Sequence, residues 1–330
     1  MNNRRRNLVI ALGAGAVAAP VAAFAQASPA VRTIGYLSAR SSGVETETVA
    51  VFRQGLREAG FVEGKNISIE SRWADGHYDR LPELAAELVR RQVAVIATSG
   101  GVMVARAARA ATRTIPIVFT SGSDPVQDGL VDSLNRPGGN LTGVVAFTAS
   151  LGPKRLELMR ELVPGKTVIA FLVNPTSQTA DIQTREIQAA AQRMGEKLLV
   201  LNAGTISELD QAFAALVKQG ARALVMSADL FFQVRREQLL ALAVRHRIPT
   251  MYEWREFVEA GGLISYSTVR AETWRQHGNY VGRVLNGAKP ADLPIVRSTK
   301  FELVINSKTA KALGLTIPQS LLVSADKVIE

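Results

Sequence analysis

The chain has 330 residues, 47% of them hydrophobic and 21% charged, a balance that excludes disorder and a length that exceeds one comfortable core, so two domains are expected. Cysteine is absent, which excludes disulfides, thiolate metal sites, a cysteine nucleophile and lipid attachment through a cysteine. The three histidines, His77, His246 and His277, are widely separated, and the +10 formal charge is spread among acids without the one-sided stripe that nucleic acid requires; neither a metal, a cofactor nor a nucleic-acid partner is expected.

The first thirty residues read as an address. Arg4, Arg5 and Arg6 form a positive segment, residues 8–24 are apolar, and Ala23 and Ala25 place small residues before a cut. This is the pattern of a secretory signal peptide over residues 1–25, with cleavage between Ala25 and Gln26. A membrane anchor is the weaker alternative, because the run is short and interrupted by Pro20 and glycines. Arg5-Arg6-Asn7-Leu8-Val9 resembles a twin-arginine export signal; an ordinary arginine-rich leader stays open beside it.

A strand–helix alternation follows. Strands are expected at residues 31–37, 67–73, 93–98, 115–119 and 141–145, with helices at 47–59, 81–91, 102–112 and 127–134. In the first helix Val51, Phe52, Leu56 and Ala59 share a face, and Gly60 closes it. A second series has helices at 152–162, 179–194, 206–219, 232–245 and 272–286 and strands at 168–173, 197–201, 223–226, 249–252 and 263–266. Short apolar strands between amphipathic helices mean parallel sheets covered on both faces. The expected fold is therefore α/β, with two doubly wound lobes, a hinge and a cleft. The first lobe takes residues 31–145 plus about 268–290, and the second 146–267 plus about 291–330.

In open α/β sheets a ligand sits beyond the carboxyl ends of the strands. Those ends carry Ser38, Arg40, Ser41, Ser99, Gly100, Ser121 and Asp124 in the first lobe. In the second they carry Asn174, Asp229, Tyr252 and Glu253, with Phe147 near the crossing. Helix starts offer open N–H donors for a carboxylate, Asp229 or Glu253 suits an ammonium, and Tyr252, Trp254 or Phe147 suits an apolar wall. The set matches an amino-acid zwitterion. Each polar residue alone is also an ordinary helix cap.

Catalytic signatures are missing. The turn after the first strand, Gly35 to Gly43, lacks the dinucleotide fingerprint. Thr120-Ser121-Gly122-Ser123-Asp124 lacks the first glycine of a nucleophile elbow. Asp75, His77 and Asp79 share a loop that reads as solvated rather than metal-binding. A binding protein, not an enzyme, is expected; an enzyme whose site is assembled from distant residues stays as the weaker alternative.

Several phrases point further: Thr33-Ile34-Gly35-Tyr36-Leu37-Ser38, the stretch from Phe52 to Asn66, Pro116-Ile117-Val118-Phe119 leading into Ser123-Asp124-Pro125-Val126, and above all Leu134-Asn135-Arg136-Pro137-Gly138-Gly139-Asn140-Leu141-Thr142-Gly143-Val144. Over about residues 31–325 the chain resembles the ABC-transporter substrate-binding family of type I periplasmic binding proteins, relatives of the branched-chain amino acid receptors. The resemblance implies two Rossmann-like lobes, a small-molecule solute in the cleft, and closure that signals an ABC permease in the inner membrane. It also implies periplasmic residence, and a monomer is the default. Some members bind aromatic amino acids. Family pocket positions fall on Ser99, Ser121, Asp124 and Asn174, and Arg40 in the first loop would favour an anionic solute. A ligand-sensing module of a signalling system shares the fold and stays as the alternative.

Overall fold

A computed structural model describes residues 31–165 and 167–330; the expected leader and its cleavage point lie outside the described residues. The first series runs β1 (Arg32–Ser38), α1 (Thr46–Glu58), β2 (Ile67–Trp73), α2 (Leu81–Arg90), β3 (Val95–Ser99), α3 (Val102–Ala111), β4 (Ile117–Ser121) and β5 (Leu141–Val145). The second runs α4 (Gly152–Leu162), β6 (Val168–Val173), α5 (Ala180–Met194), β7 (Lys197–Asn202), α6 (Ile206–Lys218), β8 (Ala221–Met226), α7 (Leu230–Val234), α8 (Arg236–Arg245), β9 (Thr250–Tyr252), α9 (Arg255–Glu259) and β10 (Ile264–Thr268). The chain ends with α10 (Arg270–Leu285), β11 (Val296–Arg297), β12 (Phe301–Asn306), α11 (Ser307–Ala312), α12 (Gln319–Ser324) and β13 (Lys327–Ile329).

These elements build two sheets with the same internal order. The first is β11-β5-β4-β3-β1-β2 and the second β13-β12-β10-β9-β8-β6-β7. Every pairing is parallel except β10 with β12. In each sheet the strand order reverses once near the middle, between β1 and β3 and between β6 and β8. Crevices open at such reversals, because the connecting helices depart to opposite faces.

Burial follows from the covering helices. Ile96, Phe119 and Val145 face one apolar cluster with Leu84, Leu88 and Ala105 of α2 and α3. Ile34, Val95 and Val118 face the other, with Phe52, Leu56 and Val281 of α1 and α10. The second sheet repeats this, with α4 and α5 on one face and α6 and α8 on the other. The α1–α10 contact is the closest: a Cβ at Gly55 would overlap the Arg275 carbonyl oxygen, and one at Gly278 the Phe52 carbonyl oxygen. Helix backbones touch there because no side chain stands between them.

Three stretches differ from expectation. Residues 127–134 form turns, not a helix, because Gly129 adopts φ 66 and ends the single turn begun at Asp124. The helix expected at 232–245 is two helices, parted at Arg235. Residues 291–297 were expected in the second lobe, yet β11 pairs with β5 in the first sheet, and Leu293 and Ile295 sit in the first-sheet clusters. The apolar residues of that segment find their partners beside α10, which precedes them. Among the described residues no helix is long and apolar enough to cross a membrane.

Candidate functional site

The chain passes between sheets through residues 146–151 after β5, at Val269 after β10, and through 298–300 before β12. The carboxyl ends of both sets of parallel strands meet around these crossings. Arg40, after β1, donates to Gln233 of α7 at 3.2 Å. Arg270, at the second crossing, reaches Thr48 of α1 at 3.3 Å and Glu256 of α9 at 2.8 Å, with its guanidinium over the Trp254 ring. Leu230 of α7 packs against a first-sheet cluster. The two halves therefore touch across the crevices.

On the first-sheet side the floor is a buried carboxylate. Glu45 accepts hydrogen bonds from the Tyr36 hydroxyl and the Ser99 hydroxyl, each at 2.6 Å, and from Arg40 at 2.9 Å. Three donors, one of them charged, compensate its complete burial. Burial and the neighbouring Glu45 push the Tyr36 phenol well up, so it stays a donor. Sequence reasoning did not anticipate Glu45. Arg40 is accordingly neutralised by Glu45 and is not a free receptor for an anion, contrary to the expectation drawn from its position. Ser38 accepts from the Arg40 backbone N–H at 3.0 Å. Ser41 is half-buried and its carbonyl accepts from the Glu45 N–H. Beside them α3 begins at Gly101 with no side-chain cap, leaving its first-turn N–H groups open. Gly100, at φ 102, lies so close to Ala39 that a Cβ would press on it, so the backbone itself forms this wall. Ser121 turns toward Ser123, and Asp124 caps the Val126 N–H at 2.9 Å. These two shape their own loop.

The second-sheet side carries more unspent charge. Asn174 donates to Asp229 at 3.0 Å across the strand reversal and accepts from Thr176. Asp229 also caps the Phe231 N–H at 2.9 Å, and both contacts use one oxygen, Oδ1. Glu253 follows β9 and is only 5% exposed. Among the described residues it has no hydrogen bond and no ion pair within 4.0 Å. Burial pushes its carboxyl up to about 7; Arg155 opposes that shift, Asp229 adds to it, and Arg270 and Arg40 oppose it more weakly. Asp229 is also felt by Tyr78 of the first lobe, whose phenol is raised first by partial burial and then by that carboxylate. Tyr78 keeps 41% of its surface exposed and stands at the rim.

The two expected wall residues differ in setting. Tyr252 is a core residue: it is 1% exposed and its ring stacks on Phe257 at 4.7 Å. Side chains alternate along a strand: Met251 joins the cluster that α4 builds and Tyr252 the cluster on the opposite face, while Glu253 follows in the bend after β9. Phe147, held at φ 50, lies under the Arg297 guanidinium at 4.6 Å and lines the first crossing. Arg155 of α4, which sequence reasoning passed over, is fully buried beneath the same region.

Comparison with known proteins places these features in context. A family model described as ABC transporter substrate binding protein matches residues 41–329. A tyrosine-binding protein of Clostridioides difficile (strain R20291) is 27% identical over 267 residues, covering 80% of this chain and 75% of that protein. A conserved domain protein from Vibrio cholerae superposes with TM-score 0.82 at 26% identity, over 90% of this chain and 99% of that one. A Streptococcus pneumonia domain in complex with L-Trp superposes at 0.83 with 24% identity, over 91% and 100% of the two chains. The ligand-free, open form of a Clostridium difficile substrate binding protein reaches 0.69 at 25% identity, over 91% and 99%.

Proposed function

Because the chain belongs to the family of ABC transporter substrate-binding proteins, we propose that it is the extracytoplasmic receptor of an ABC importer and that its solute is an amino acid held between the two lobes. The observation that carries this is the pair Asp229 and Glu253. They follow adjacent strands β8 and β9 and lie within Coulomb range of each other, and Glu253 lacks a bonded cation. The nearby arginines are engaged in part: Arg40 with Glu45 and Arg270 with Glu256. Two acids left beside each other favour a cation between them. The uncapped start of α3 across the crevice suits the carboxylate of the same ligand. In this reading Ser38, Ser99, Gly100 and Asn174 shape the cleft, Asp229 and Glu253 hold the ammonium, and Tyr78 closes over the side chain.

The relative named for tyrosine binding supports an aromatic amino acid. The inner-membrane permease as partner, periplasmic residence, a monomeric state and the absence of turnover belong to the same reading, as does the division into lobes at the crossings after β5, after β10 and before β12. Residues 31–145, α10 and β11 would form one lobe and the remainder the other.

Isothermal titration with L-tyrosine, L-tryptophan, L-leucine and 3-(4-hydroxyphenyl)propionate tests the ligand class. Saturable binding of at least one amino acid, with the propionate bound at least tenfold more weakly than tyrosine, is the expected result. Equal affinity for tyrosine and its des-amino analogue would remove the ammonium site.

A further inference from the structure

Arg155 occupies a position that charged side chains rarely take. It lies on the apolar face of α4 with Leu158, Met159 and Leu162, and its side chain is 0% exposed. The Nε atom donates to the Tyr266 carbonyl at 2.9 Å, tying α4 to β10 just before the second crossing. Its two terminal nitrogens, Nη1 and Nη2, are buried and have no hydrogen-bond partner among the described residues. A guanidinium retains its proton even here, although burial pulls its pKa down and Glu253 holds it up. An unpaired buried charge costs several kcal/mol in general, so a residue serving stability alone would be better replaced by leucine.

The acid that answers it is Glu253. Glu253 follows β9, whose Met251 packs into the cluster that α4 builds, and its charge is felt by Arg155. The slight exposure left to the pair belongs to Glu253 alone. The other charged groups that reach Glu253 are Asp229 from the β8–α7 loop, Arg270 from the start of α10 and Arg40 from the β1–α1 loop. Of the three arginines, only Arg155 has no carboxylate bonded to it.

We propose that Arg155 is a positioning residue: a sealed positive charge behind Glu253 that favours the ionised form of this carboxylate while leaving it unbonded at the cleft floor, where it selects a ligand carrying an ammonium group. The selection rests on the amino-acid reading above; the charge relation between the two residues does not. Arg155 never touches ligand. It makes the acid available without occupying its oxygens, which a directly bonded arginine would do. The cleft then discriminates by protonation: Glu253 in the neutral form no longer attracts an ammonium.

The test follows the Glu253 carboxyl directly, by ¹³C-detected NMR titration of glutamate-labelled protein without added ligand, with the resonance assigned by Glu253→Gln. In Arg155→Met the midpoint should rise by about one pH unit or more, and Arg155→Lys should restore part of that change. Tyrosine affinity at pH 6.5 should fall about tenfold in Arg155→Met. A folded Arg155→Met protein whose Glu253 midpoint is unmoved overturns the proposal, whatever happens to its melting temperature. Should Arg155→Met fail to fold, Arg155→Lys and Arg155→Gln carry the same comparison, and an equal midpoint in those two variants sinks it as well. If the midpoint moves but no amino acid binds the unmodified protein, the ammonium selection falls with the ligand reading, while the charge relation stands.

Discussion

Asn174 and Asp229 meet at 3.0 Å across the point where the second sheet reverses its strand order, and the same Asp229 oxygen caps α7 through the Phe231 N–H. Asp229 thus has a structural duty on Oδ1 and, in the proposed reading, a charge for the ligand. Two substitutions separate them. Asp229→Asn keeps a good cap and removes the charge, so stability should change by less than about 1 kcal/mol while tyrosine affinity falls by about 2–5 kcal/mol. Asp229→Ala should lose the same affinity and about 1 kcal/mol of stability besides. Calorimetric titration and urea unfolding read the two effects separately; full affinity in Asp229→Asn would take this residue out of the site.

Two buried groups pull stability in opposite directions with pH. Glu253 rises from an ordinary 4.5 to about 7 through burial. The folded state therefore binds its proton more tightly, and stability falls by about 3 kcal/mol as pH rises from 4.5 through 7. His277 donates its Nε2–H to the Val118 carbonyl at 3.0 Å, and burial lowers it from 6.5 to about 4. Its neutral form is favoured in the fold, so stability falls by about 3 kcal/mol as pH drops from 6.5 through 4. Between pH 4.5 and 6.5 the two slopes offset. Glu253→Gln removes one of them. Relative to the unmodified chain, it should gain stability at pH 8 and show a steeper loss below pH 6.5 in urea melts at a series of pH values. Parallel curves for the two proteins would mean that Glu253 titrates normally.

The Arg40 guanidinium spans the crevice between Glu45 and Gln233. Arg40→Ala leaves Glu45 buried with only its two hydroxyl donors, and a loss of up to about 3 kcal/mol is expected, at the low end for a broken buried pair. Gln233→Ala removes only the bond from Arg40 to α7, one of the contacts across the crevice. It should leave the unfolding midpoint within about 0.5 kcal/mol and increase the radius of gyration of the ligand-free protein in solution scattering. An unchanged scattering curve would show that this bond does not hold the halves together.

Gly278→Ala puts a methyl group where the Phe52 carbonyl lies. Overpacking of this kind costs about 1–3 kcal/mol, read as a melting-temperature drop of about 2–4 °C for each kcal/mol. Ligand affinity in the folded fraction should be unaffected, since α1 and α10 pack on the outer face of the first sheet. A loss of affinity larger than the loss of stability would show that this helix pair communicates with the cleft.

The alternation of strands and helices was legible because each strand is a short apolar run and each helix keeps a stripe, as in Leu209, Ala212, Phe213 and Leu216 of α6. Strand-end logic named Asp229 and Glu253 as candidates. It also named Tyr252, which a strict two-residue alternation from Met251 would have turned to the opposite face. Ser99 was named from its place at the end of β3; its hydroxyl is committed to Glu45, a partner 54 positions away in sequence that spacing alone does not reveal. Arg155 had a readable signal: it falls in register with Leu158, Met159 and Leu162, where a surface arginine has no place. The β11 pairing with β5 had none, because two residues carry too little pattern to choose a sheet.

A single residue, Val269, separates the last residue of β10 from the first of α10. A strand and a helix that share one joint leave it little more than the two backbone torsions of that residue. Since α10 is seated on α1 through bare backbone at Gly55 and Gly278, it acts as a bracket fixed to the first sheet. A twist at Val269, shared with the crossings at 146–151 and 298–300, would then be spent on the second sheet, like a door leaf moving against its frame. Residues farthest from the joint, at the β7 edge, would sweep the widest arc, and probes placed there would report the motion with the greatest gain.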